Sequence, residues 1–125
     1  MDTEETNSPK KKETENMDEI IAHARELGKK IATHPRTAAF MKAARAVAAD
    51  KQAQEVLRAY QNQVKAIHDL EMAGKPIEVA DKHKMAECET AVAGNELLKE
   101  MMKHQADYME LMNRINSAID EAAQS

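Results

Sequence analysis

The stretch Glu96-Leu97-Leu98-Lys99-Glu100-Met101-Met102-Lys103-His104-Gln105-Ala106-Asp107-Tyr108-Met109-Glu110-Leu111-Met112-Asn113-Arg114-Ile115-Asn116-Ser117-Ala118-Ile119 decides the fold. Leu98, Met101, Gln105, Tyr108, Met112, Ile115 and Ile119 follow one another in alternating steps of three and four, and Ala122 continues the series. That spacing places them in one row along a helix, the heptad seam of a helix that packs lengthwise on another. Leu97, Met102, Met109 and Leu111 widen the row beyond a narrow stripe. Gly94-Asn95 stands just before it, a stop for one helix and a cap for the next. The pattern predicts a helix over about 96–123, roughly 42 Å long at ~1.5 Å per residue.

Similar reasoning works backward from this helix. A first helix is expected from about Met17 to Thr33, with Met17, Ile20, Ile21, Ala24, Leu27 and Ile31 on one face and Asn16 or Asp18 near its start. His34-Pro35 ends it, because the residue before proline is pushed out of the helical region. Pro35 suits the first turn of a second helix reaching about Ala49. Asp50 is the expected cap of a third, about 51–73, whose face reads Ala53, Val56, Leu57, Tyr60, Val64, Ile67 and Leu70. Gly74 stops it and Pro76 opens a fourth, about 76–93, with the thin stripe Ile77, Ala80, Met85, Cys88 and Val92. Residues 1–16 have no apolar member after Met1 and are expected to be a disordered charged tail, leaving 17–125 as one helical domain.

Composition agrees with an all-α chain of about five helices. Three Gly and three Pro in 125 residues leave few places to turn, so the elements must be long. Aromatic residues, which β-sheet cores draw on, are 2% of the chain: Phe40, Tyr60 and Tyr108. Helices of this length are expected to form an elongated antiparallel hairpin or bundle. It would leave apolar surface that a second copy can cover. The Leu98–Ile119 seam is the candidate self-association surface. A polar residue on such a seam, here Gln105, can fix register and partner number at a cost in stability.

Several function classes find little support. A net charge of −4, with bases interspersed among acids, lacks the basic footprint of a nucleic-acid binder. No stretch approaches the ~18–20 apolar residues of a membrane span, and the acidic start Asp2-Thr3-Glu4-Glu5 lacks a secretory signal's apolar core. Cytoplasm is therefore the expected location. The single cysteine, Cys88, excludes an intrachain disulfide and reads as a small apolar residue. His83 and Cys88, five residues apart, are poorly spaced for a shared metal on one helix face. Glu100 and His104 have the better spacing, with Asp107 nearby, but the chain has no Glu-x-x-His, the ligand pair of a dinuclear bundle site. No catalytic constellation stands out, and no metal or cofactor is expected. The concentration of Met101, Met102, Met109 and Met112 in one helix suits an adaptable contact surface as well as core filling.

The order of segments resembles that of a known family. The residues Ile20-Ile21-Ala22-His23-Ala24-Arg25-Glu26-Leu27-Gly28-Lys29-Lys30-Ile31-Ala32 look like the opening "A-R-E-L-G" helix of the YlbF/YmcA family of small bacterial regulators. His34-Pro35 and Ala49-Asp50 resemble its first turn and the end of its short second helix. Ala53-Gln54-Glu55-Val56-Leu57-Arg58-Ala59-Tyr60-Gln61, Gly74-Lys75-Pro76-Ile77, Gly94-Asn95-Glu96-Leu97-Leu98 and Asn116-Ser117-Ala118-Ile119 resemble the motifs that follow. The resemblance spans about 18–123. It implies a self-associating helical protein that acts without catalysis, as an accessory factor in competence, biofilm control and development, partly by assisting an RNA-processing endonuclease. Some relatives hold an iron–sulfur cluster between chains through cysteines, a pattern that Cys88 alone does not match. A non-catalytic adaptor that docks on other proteins and on itself is thus the leading expectation. A self-assembling structural protein and a direct RNA-binding accessory protein are the alternatives.

Overall fold

The computed structural model describes residues 9–125. These form five helices and no strand: α1 (Pro9–Ala32), α2 (Pro35–Ala49), α3 (Lys51–Met72), α4 (Val79–Ala93) and α5 (Glu96–Gln124). None is long and apolar enough to cross a membrane. The chain divides into two compact units, one ending at Ala38 and one running from Ala39 to Ser125, with the division inside α2.

In the first unit α1 begins at Pro9, eight residues ahead of the expected start near Met17. The part of the expected tail from Pro9 to Asn16 is therefore helical, and residues 1–8 lie outside the described part of the chain. The physical reason is that a polar segment cannot be buried, yet Lys and Glu still favour helix. Residues 9–16 are helical and exposed throughout, and the Thr14 hydroxyl donates to the Lys10 carbonyl at 3.0 Å. Asn16 and Asp18 are then interior helix residues, not caps. Pro35 does open α2. The preceding His34 caps that helix with its ring: Nδ1 accepts from the Arg36 amide at 3.0 Å.

The second unit holds the core. Val47 of α2, Ala53 of α3, Val92 of α4 and Leu98 of α5 form one buried cluster, with Val56, Leu57, Tyr60, Leu97 and Met101 packed against it. Local chemistry sets the helix ends that converge there. Asp50 accepts from the Ala53 amide at 2.8 Å, and the Gln54 side-chain amide donates to the Val47 carbonyl at 3.1 Å, tying α2 to α3. Asn95 caps α5 through the Leu98 amide at 3.0 Å, so the most deeply buried leucine sits one turn into its helix.

At the far end of α3, Gly74 has φ 68°. The Lys75 amide donates to the Leu70 carbonyl and the Gly74 amide to the Glu71 carbonyl, the paired closure that a left-handed glycine permits. Helix α4 starts at Val79, three residues later than expected from Pro76. The Glu78 amide donates to the Asp81 carboxylate at 3.0 Å, so the cap chemistry selects residue 78 and leaves Pro76 in the link. Helices α3 and α4 run antiparallel and are locked by two polar contacts. Gln63, 4% exposed, donates from Nε2 to the Asp81 carbonyl at 3.0 Å. The Cys88 thiol donates weakly to the Ala59 carbonyl at 3.7 Å.

Candidate protein-binding surface

Beside the core of the second unit, α3, α4 and α5 leave an open groove of about 670 Å³. Leu57 and Tyr60 from α3, Val92 from α4, and Leu98, Met101 and Met102 from α5 supply its apolar lining. Each helix contributes from its own stripe, with Leu57 and Tyr60 one turn apart on α3. Gln61, Glu89, Lys99 and Gln105 form a polar margin. An apolar floor inside a polar rim, with unbranched methionines at one wall, is an arrangement that accepts an apolar protein segment. It offers no constellation for chemistry.

The structure divides the seam expected along α5. Leu98 is 0% exposed and serves the chain's own core. Met101 packs against that core and also lines the groove. Gln105 is exposed at the groove margin. Tyr108 stands against Phe40 of α2, with ring centroids 5.4 Å apart and planes tilted by 32°. Met112 and Ile115 are half-buried, whereas Ile119 is 49% exposed. The groove residues Leu57, Tyr60 and Val92 were each visible as members of a helical stripe. That three stripes meet in one groove was not visible, because the Gly94-Asn95 turn and the Gln63–Asp81 register decide it.

His104 and Glu100 do come together, with Nε2 to Oε2 at 3.3 Å. They line a smaller hollow of about 340 Å³ against Ala39, Lys42, Ala43 and Ala46. Among the described residues no three His, Cys, Asp or Glu side chains converge as metal ligands would.

Comparison with known proteins now adds the family. Residues 20–124 match the family described as Control of competence regulator ComK, YlbF/YmcA. The chain belongs to the YlbF/YmcA family. That match covers all but the last residue of the second unit and agrees with the span of about 18–123 read from the motifs. Among solved structures, the YlbF/YmcA chain is similar to a chain in the X-ray crystal structure of Bacillus subtilis RicA in complex with RicF. The TM-score is 0.70 at 15% identity, covering 85% of this chain and 94% of that one. At that identity the likeness establishes the helical fold. Among curated proteins no sequence matches the chain.

Proposed function

We propose that the protein is a non-catalytic adaptor of the cytoplasm that holds another protein chain in the α3–α4–α5 groove. The groove's apolar lining beside an already filled core carries this reading. Met102 lines the groove and is 52% exposed. A side chain that is neither core nor solvated by its own chemistry is available to a partner. Family membership and the RicA–RicF structure, in which a chain of this fold is crystallised with a second protein, support the same reading. The family resemblance points to RNA-processing machinery as the partner's setting. The adaptor also self-associates in this reading. Ile119, with Met112 and Ile115 behind it, is the part of the α5 seam left for a second copy, while Leu98, Met101 and Tyr108 hold the fold.

The test is capture from the protein's own cell lysate, followed by mass spectrometry, with wild-type protein and Met102→Glu in parallel. A stoichiometric protein partner that survives nuclease treatment and is reduced about tenfold or more by Met102→Glu is expected, since a charge would be left in an apolar contact. Capture that disappears with nuclease would favour direct RNA binding instead. Absence of any stoichiometric partner would favour the self-assembling alternative.

A further inference from the structure

The chain is rich in sulfur, and burial sorts it. Its one thiol, Cys88, is buried and donates to the Ala59 carbonyl, the situation of an inert structural cysteine. Among the described methionines, Met85, Met101 and Met112 are half-buried, whereas Met17, Met41, Met72, Met102 and Met109 are exposed. Of these five only Met102 lines the α3–α4–α5 groove. Met109, on the same helix and equally exposed at 52%, lies outside the groove lining.

An exposed thioether is open to attack on a hydroperoxide. The sulfur lone pair forms a bond to one peroxide oxygen as the O–O bond breaks. Sulfur loses two electrons and the peroxide gains them. The proton of the transferred oxygen passes to the departing one, which with hydrogen peroxide leaves as water. The product is a sulfoxide, a polar side chain with a strong acceptor in place of an apolar one. At Met17, Met41, Met72 and Met109 that acceptor lies away from the groove and keeps its water. At Met102 it stands beside Leu98 and Met101 in the groove lining. An apolar segment bound there strips its water and offers no donor in return, which is costly. Met101 lines the groove as well, but it packs against the core cluster and is therefore less open to attack.

We propose that Met102 is an oxidation site, and that its sulfoxide releases the protein segment held in the groove. The adaptor thereby responds to hydroperoxides. This rests on the groove reading above and adds its regulation. Met102 lies outside the buried cluster, so the added oxygen leaves the fold intact. The change is reversible, because a methionine sulfoxide reductase removes the oxygen as water while a dithiol becomes a disulfide.

The test compares capture from the protein's own lysate before and after treatment of the full chain with hydrogen peroxide, quenched by catalase. Peptide mass spectrometry reads the sulfoxide at each methionine. Met102→Leu and Met109→Leu are each compared with their own untreated samples, so any loss from the substitution itself cancels. Oxidation of the wild-type chain is expected to weaken capture about tenfold or more. Met109→Leu should lose as much, and Met102→Leu no more than about twofold, because leucine has no sulfur to oxidise. Reductase with dithiothreitol should restore the wild-type chain. Capture that is unchanged while Met102 is fully oxidised would overturn the proposal and leave the groove reading standing. Sensitivity that vanishes in Met109→Leu and persists in Met102→Leu would overturn the assignment to Met102. Loss of helical circular dichroism on oxidation would show damage to the core in place of release, and would overturn it too. If the untreated chain captures no partner, the groove reading itself falls and this inference with it.

Discussion

Helices α1 and α5 are written in the same code and fare differently. Both are long, both repeat apolar residues in steps of three and four, and both alternate acids with bases on the opposite side. Helix α5 commits Leu98 to a filled core, sets Tyr108 against Phe40 and forms a groove wall with Met101 and Met102. Helix α1 buries nothing. Amphipathic spacing thus states which face of a helix is apolar and leaves open what covers it. For α5 the answer comes from its neighbours in sequence. The Gly94-Asn95 turn is too short to let α4 and α5 part, so Val92 and Leu98 meet in one cluster.

The contrast can be broken by mutation, and the largest effect should fall in the second unit. Leu98→Ala removes a fully buried side chain from the convergence of four helices. It should cost about 3 kcal/mol, from lost transfer energy and the cavity left behind. A shift in denaturation midpoint at constant slope would show it, and a neutral result would mean that the cluster is not the core. Asp50→Ala removes the cap on Ala53 at the α2–α3 junction and should cost about 1 kcal/mol in the same measurement. Gly74→Ala forces a side chain into φ 68° and should also cost about 1 kcal/mol, with no steric clash adding to it because nothing lies within 4 Å of the new Cβ. Ile20→Ser marks the other end of the comparison. At 67% exposure it should change the stability of the chain by no more than about 0.5 kcal/mol. If Ile20→Ser instead destabilised the dilute chain as Leu98→Ala does, α1 would have to be covered within its own chain.

Much of this architecture was legible because punctuation is local. Pro35, Asp50, Gly74 and Gly94-Asn95 act through their own φ angles or through amides three residues away, and the helix boundaries they predict hold closely. The two displaced starts have local explanations as well. Pro9 through Asn16 lack apolar residues, which argues against burial and does not argue against helix. The Asp81 carboxylate moves the start of α4 past Pro76 to Val79. The ring of His34 as a helix cap left no trace in the pattern, since histidine rarely plays that part.

What the sequence determined by itself is the set of helices, the apolar face of each and the family, because periodicity, capping and motif order are properties of neighbours along the chain. Only the tertiary structure decided how those faces are used. Leu98 could have been a contact for another chain, and became core because Val47, Ala53 and Val92 arrive at the same point from three other helices. Met102, the next residue but three, stayed at the surface and walls a groove. Burial is a property of distant parts of the chain meeting, and the apolar spacing that prepares a residue for it is the same whether the neighbour comes from its own chain or from another.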